Sequence, residues 1–318
     1  MNAPFRPQHL DEMVGQEAIR QKARIACQAA LLRGEPLPHV LLTSSGGGLG
    51  KTSFAGILAN EMYTQMVTTT GQCLRTVADL RNLLVLLDPG TILLVDEAHC
   101  IGKAAAEELL LVLEDGILNM TLGGSRAPIQ IEVPKFTLCA ASTQPECLSL
   151  ALHQRFGLTF RFDFYADSEI RIIVEGIFRR WSMEIEQSAA MDLARRARGV
   201  PRIALRLAER VRDVAQAQSA DAVTTATVSL SMEIEDIDSI GLTRQELDML
   251  AVLADAEPRP VSARSLSLAL GVGVATVTEV LEPSLVRFGL MTIGSGGRRL
   301  TARGISHLNS TASERSCR

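Results

Sequence analysis

Three short apolar runs, each stopping at polar residues, organise the first half of the chain: Val40-Leu41-Leu42-Thr43, Ile92-Leu93-Leu94-Val95 and Phe136-Thr137-Leu138-Cys139-Ala140-Ala141. Short runs that are almost wholly apolar suit strands buried on both faces, as in a parallel sheet covered by helices. A glycine-rich stretch follows the first run, and a helical pattern over 52–62 follows that, so strand, loop and helix come in succession. Between the second and third runs, apolar alternation flanks Gly123-Gly124-Ser125 and predicts a β-hairpin over 118–133, inserted in the α/β region.

After Phe164-Tyr165-Ala166-Asp167 the apolar spacing changes to three and four residues, which predicts helices over 168–181, 188–198 and 201–216. Gly199-Val200-Pro201 separates the last two, with proline suited to a first helical turn. A polar, alanine-rich stretch over 217–225 and the acidic Glu233-Ile234-Glu235-Asp236 mark a further boundary. Beyond it the pattern predicts helices over 243–254, 262–270 and 275–287, the last split or kinked by Pro283. Leu290-Met291-Thr292-Ile293 and Arg298-Arg299-Leu300-Thr301 flank a glycine-rich turn as a short hairpin. Three helices and a hairpin suggest a winged helix, with a helical protein-interaction domain as the alternative. The predicted fold class is therefore α/β: a parallel-sheet domain (1–165), a small helical domain (166–236), a C-terminal winged helix (237–310) and a tail (311–318).

The chemistry lies at the ends of the predicted strands, where open α/β sheets bind ligands. Ser45-Gly46-Gly47-Gly48-Leu49-Gly50-Lys51-Thr52 follows the first strand. Glycine-rich loops of this kind turn backbone N–H groups toward phosphates, the lysine reaches the terminal phosphates, and the hydroxyl helps hold Mg²⁺. Asp96, ending the second strand, would complete the metal site with Thr52, and Glu97 would polarise a water. One position departs from G-x-x-x-x-G-K-[ST]: Ser45 stands where the first glycine belongs. Ser142-Thr143 end the third strand, where a hydroxyl can meet the attacking water, although such residues are commonly turn-formers.

Two arginines bear on this site. Arg155 precedes a new strand, a place from which it could reach a neighbouring subunit's triphosphate. Arg202 opens a helix of the second domain and could reach the nucleotide of its own subunit. The alternative for each is an ordinary surface or helix-cap arginine.

Composition narrows the class. In 318 residues, 47% are hydrophobic, which supports folded globular domains, yet no stretch approaches the roughly 18 apolar residues of a membrane span. The expected location is the cytoplasm. Six cysteines without any C-x-x-C pair suit reduced thiols better than disulfides or zinc. A net charge of −4 argues against nucleic acid coating the whole surface but leaves room for a local face, and Arg298, Arg299 and Arg303 cluster near the end.

The order of these motifs resembles the RuvB family, bacterial Holliday-junction branch-migration motors of the AAA+ class, from Arg6 to about Leu308. The resemblance rests on Arg6-Pro7, Val14-Gly15-Gln16, Gly48-Leu49-Gly50-Lys51-Thr52, Asp96-Glu97-Ala98-His99, Leu113-Glu114-Asp115, Arg155-Phe156-Gly157, Gly199-Val200-Pro201-Arg202 and Glu282-Pro283, among other stretches. It implies ATP and Mg²⁺ as ligands. Phe5 and Arg6, with Val14-Gly15-Gln16, would flank the adenine, while Gly48, Gly50, Lys51, Thr52 and Ser53 would hold phosphates and metal. Lys51, Asp96, Glu97, Thr143, Arg155 and Arg202 become the catalytic candidates, with Thr143 the first sensor, Arg155 a trans-acting finger and Arg202 the second sensor. Glu114, Asp115, Gly116 and Tyr165 become nucleotide neighbours. The resemblance further implies a hexameric ring, docking of a RuvA-type junction-binding protein on hairpin 118–133, a RuvC-type resolvase as a further partner, and duplex DNA on the wing through Arg298 and Arg299.

Departures from the family sit in the phosphate loop, in the wing and before the finger arginine, where His153-Gln154 replace the family's Arg-Asp. Ser45-Gly46-Gly47 replace a glycine and two prolines, which gives the loop backbone freedom. Ile293 and Gly296 stand where the family has wing arginines, so weaker DNA binding with flatter salt dependence is expected. The leading functional expectation is an ATP-dependent DNA translocase for branch migration in recombination and repair. The alternative is a divergent paralogue that binds nucleotide and partner but translocates weakly. A clamp-loader ATPase would not be expected to end in a winged helix, and the D-E-A-H tetrad of an RNA helicase lacks this lid context.

Overall fold

The computed structural model describes residues 6–120 and 129–316. All three apolar runs are strands: β1 (Val40–Ser44) lies after a long helix α1 (Glu17–Arg33), β3 (Ile92–Asp96) and β6 (Thr137–Ser142) further on. Between them come α2 (Lys51–Glu61), β2 (Met66–Thr70), α3 (Val77–Leu84), α4 (Lys103–Asp115) and a separate antiparallel hairpin of β4 (Ile117–Met120) and β5 (Ile129–Glu132). After β6 follow α5 (Leu150–Arg155), β7 (Leu158–Phe162) and α6 (Asp167–Arg180).

Among the described residues the sheet has five strands, all parallel, in the order β2-β3-β6-β1-β7. β3 and β6 are apolar and buried because both faces are covered, whereas the edge strand β2 alternates between half-buried and exposed. Register sets the site: Thr43 pairs with Ser142 and Val95 with Ala140, so the carboxyl ends of β1, β3 and β6 form one rim. Leu80 and Leu84 of α3, Leu109 and Val112 of α4, and Leu152 of α5 pack with Leu93, Val95 and Leu138 of the sheet. Phe54 of α2 meets Phe160 and Phe162 of β7 edge-on, at centroid distances of 5.0 and 5.4 Å. These contacts pin α2, and so the loop before it, to the sheet. The hairpin predicted over 118–133 is present as the β4–β5 pair, and its central residues 121–128 lie outside the described residues.

The chain divides into two compact units, Met1–Ser182 with Gly199–Arg206, and Met183–Arg198 with Leu207–Arg318. The second contains β8 (Glu184–Ile185), α7 (Gln187–Arg196), most of α8 (Pro201–Ala217), β9 (Ala222–Val223), α9 (Thr225–Ile234), α10 (Arg244–Ala256) and α11 (Ala263–Leu270). It continues through a π-helical stretch (Thr276–Leu281), α12 (Glu282–Arg287), β10 (Met291–Gly294), β11 (Gly297–Leu300) and α13 (Ala302–Ser316). The expected effect of Pro283 is seen as this π-helix-to-α12 change, since proline cannot donate the intrahelical bond at its position. Leu247, Leu250, Leu266, Val277, Leu281, Leu285 and Met291 form the winged-helix core. No helix among the described residues is long and apolar enough to cross a membrane. Cys27, Cys73, Cys100, Cys139 and Cys147 are free thiols, as expected, and burial pushes Cys27 up to about 12. Cys317 lies outside the described residues.

Candidate nucleotide site

The loop between β1 and α2 is shaped by two glycines in the left-handed region, Gly48 (φ 82°) and Gly50 (φ 104°). A Cβ at Gly48 would stand 2.7 Å from Cβ of Arg202, so that position excludes a side chain twice over, by conformation and by space. Ser45 is not among the residues with positive φ. The one departure from the loop pattern therefore falls where the backbone does not require glycine, and the two positions that do require it keep it.

Lys51, the first residue of α2, is 7% exposed, and its Nζ donates to Ser44 Oγ at 2.5 Å. Ser44 Oγ in turn donates to the Gly46 carbonyl at 2.7 Å, which ties the end of β1 to the loop. Burial lowers the Lys51 pKa; Glu97 and Asp96 pull it back up, and Arg202 pushes it further down. The buried ammonium is thus held at a cost that a bound polyanion would relieve. Because the pKa lies below 10.5, nucleotide affinity is expected to weaken as pH rises through it, earlier than an ordinary lysine would allow; a calorimetric titration of ATP across alkaline pH checks this, with Lys51→Arg showing no such fall.

Asp96 ends β3 and accepts from Thr52 Oγ1 at 3.2 Å through one oxygen and from the Glu97 N–H at 3.0 Å through the other. A hydroxyl and a carboxylate facing each other are hard oxygen donors, which fits Mg²⁺ with phosphate and water oxygens completing its shell. Glu97 turns through the left-handed region (φ 48°, ψ 51°), and its Oε2 accepts from Thr143 Oγ1 at 3.2 Å. Around these groups lies a cavity of about 200 Å³ lined by Arg6, the loop from Gly47 to Thr52, Ser53, Asp96, Glu97, Ile173, Ile177, Pro201, Arg202 and Leu205. A smaller apolar slot shares Gly50, Ser53, Ile173 and Pro201 with it and adds Met13, Val14, Ile57 and Tyr165, a lining suited to a flat base. Tyr165 is nearly buried, its hydroxyl donates to the Leu49 carbonyl at 3.4 Å, and burial pushes its pKa up to about 12.

The same chain matches three consecutive family models: the Holliday junction DNA helicase RuvB P-loop domain over 5–162, the RuvB AAA lid domain over 165–238 and the RuvB C-terminal winged helix domain over 239–309. The chain belongs to the RuvB family. It is accordingly an AAA+ ATPase. The Holliday junction branch migration complex subunit RuvB of Thermotoga petrophila is 38% identical over 96% of this chain and 92% of that protein. The Rubrobacter xylanophilus subunit is also 38% identical, over 96% of this chain and 86% of its own length. The solved Thermotoga maritima RuvB branch migration motor superposes with a TM-score of 0.84 at 37% identity, covering 96% of this chain and 98% of that one.

Not every residue proposed from the RuvB resemblance gathers at the cavity. Arg202 does: its backbone N–H donates to the Gly48 carbonyl at 3.3 Å. Arg155, at the end of α5, does not line the cavity and forms an ion pair with Glu114 of α4. Asp115 and Gly116 end the same helix, Gly116 as its left-handed cap (φ 68°), and they too lie outside the lining. Phe5 lies outside the described residues.

On the wing, the Arg298 guanidinium makes a two-bond fork with Glu282 at 2.7 and 3.0 Å, and the two side chains are 18% and 5% exposed. The pair neutralises a buried carboxylate and fastens the wing to α12. Arg299 on the same strand is exposed and stays available. The sequence reading also passed over Ser44 and His99, which the fold turns toward Lys51 and Glu97. His99 stood in view within the D-E-A-H tetrad, but no spacing rule says where its ring points.

Proposed function

We propose that this chain hydrolyses ATP as one subunit of a ring that drives branch migration of four-way DNA junctions. The observation that carries the reading is the convergence of Lys51, Thr52, Asp96, Glu97 and Arg202 on one cavity beyond the carboxyl ends of the sheet. Lys51 and the loop N–H groups bind the phosphates of the substrate, and Thr52 with Asp96 would hold Mg²⁺, which neutralises charge on the transferring phosphoryl group. Glu97 orients a water and accepts its proton at the carboxylate, with Thr143 fixing one carboxylate oxygen. Arg202 senses the terminal phosphate from its own chain, and Arg155 serves a neighbouring subunit. The relatives' names, which place them in a Holliday junction branch migration complex, support the DNA substrate.

The three segments 1–165, 166–236 and 237–310 would then act as motor, lid and DNA-contacting wing in the cytoplasm. Hairpin 118–133 is the docking arm for a RuvA-type protein; its two strands pair with each other and not with the central sheet, and Ile129 is 43% exposed. A RuvC-type resolvase would act on the same junction.

A labelled four-way junction, incubated with the protein, ATP and a RuvA-type partner, tests this directly. ATP-dependent conversion to duplex arms is expected. Junction affinity no greater than for linear duplex, with no ATP-dependent conversion, would instead favour a nucleotide-binding ring component that translocates weakly. That second reading draws on the engagement of Arg298 by Glu282 and on Ile293 and Gly296 at the wing. In the binding arm, Arg299→Ala is expected to lower the slope of log affinity against log salt by about 0.9, the effect of one lost phosphate contact.

A further inference from the structure

Glu97 is held by more than its sensor threonine. Its Oε2 lies 3.3 Å from Nδ1 of His99, in addition to 3.2 Å from Thr143 Oγ1. The same His99 Nδ1 is 3.0 Å from Oγ of Ser142, a fully buried residue whose oxygen already accepts the Gln144 N–H at 3.0 Å. The His99 side chain is 15% exposed.

Proton bookkeeping assigns the ring. An ionised carboxylate oxygen only accepts, so a lone pair on Nδ1 would face a lone pair on Glu97. A proton on Nδ1 removes that clash: it is directed at Ser142 Oγ, 3.0 Å away, and lies beside Glu97 Oε2 at 3.3 Å. The neighbouring carboxylate therefore favours the Nδ1–H tautomer of the neutral ring. The Thr143 hydroxyl, after β6, donates to Oε2 of Glu97, and the His99 ring, on the turn after β3, stands 3.3 Å from the same oxygen.

We propose that His99 is a positioning residue for Glu97, aiming the carboxylate through Nδ1–H while Ser142 fixes the ring. This rests on Glu97 as the group that activates water. A residue that merely stabilised the turn would affect folding and binding together, whereas one that aims Glu97 affects turnover alone.

The test uses the full chain with duplex DNA. His99→Ala is expected to lower kcat for ATP about tenfold or more, the scale on which orienting partners act, with nucleotide affinity unchanged within about twofold. His99→Asn, whose amide can donate from the Nδ1 position, is expected to recover most of the rate. Unchanged kcat in His99→Ala, parallel loss of rate and nucleotide affinity, or asparagine no better than alanine would each overturn the proposal. Nitrogen NMR of the wild-type imidazole gives a readout independent of activity and of variant folding. The neutral ring should show Nδ1 protonated, and an Nε2–H tautomer overturns the assignment. Loss of ATP turnover in the wild type with an Nδ1–H ring would count against the motor reading and leave the His99 geometry standing.

Discussion

Alanine at Arg155 is expected to lower ATP turnover by about 10³-fold, the scale of a lost arginine finger, while leaving nucleotide affinity in the same chain's cavity nearly unchanged. Within its own chain, Arg155 does not line the cavity, and its guanidinium is engaged by Glu114 at the end of α4. That ion pair is between side chains 40% and 37% exposed, so solvent screens it and the arginine is released at little cost when a more strongly charged partner is presented. Arg202, by contrast, already lies over the phosphate loop: a Cβ added at Gly47 would stand 3.7 Å from its guanidinium. On the proposed function, the two arginines would divide the work between subunits. Mixing provides the decisive measurement. Arg155→Ala and Lys51→Ala chains are each expected to be inactive alone, but a mixed ring pairs an intact cavity with an intact finger and should regain turnover. A mixture no more active than its components, or weakened nucleotide binding by Arg155→Ala, would show that the finger does not act across subunits.

Glu246→Ala is expected to destabilise the winged-helix part by about 3–5 kcal/mol, the range for leaving a buried charge unpaired. Glu246 is 3% exposed at the third position of α10. Its Oε2 closes a capping box with the N–H and hydroxyl of Thr243 at 2.8 and 3.0 Å. Its Oε1 accepts from Nη1 of Arg198 at 2.6 Å and from the Ser284 hydroxyl. Arg198, 10% exposed and itself in the left-handed region (φ 57°), has its carbonyl held by Arg287 at 2.6 Å. Alanine would strand the Arg198 guanidinium away from water and remove a helix cap in one step. The surface pair Arg244–Asp248, with side chains 57% and 46% exposed, is the control: Arg244→Ala should cost less than about 1 kcal/mol. Urea unfolding followed by circular dichroism distinguishes the two, and equal midpoints for both variants would refute the buried network's role.

How much of this was legible beforehand depends on the physical range of each effect. The strands β1, β3 and β6 announce themselves because being covered on both faces demands continuous apolar residues, whereas the half-exposed, threonine-rich β2 carries no such demand and was not foreseen. Helix α1 also escaped notice, although its left-handed cap Gly34 is a recognisable stop. Ser45 raised a doubt about the loop that the backbone removes, since the left-handed positions are Gly48 and Gly50.

Composition and order of residues were enough to place a phosphate loop, an acidic strand end, a lid and a wing, because glycine conformations, apolar periodicity and helix stops act over a few neighbouring residues. They could not say which charge each arginine or histidine would meet. Arg298 finds Glu282, Arg155 finds Glu114, and His99 finds Glu97 and Ser142 only once the strands and helices are packed. Such pairings turn on distance and burial, and both come from elements that lie far apart along the chain.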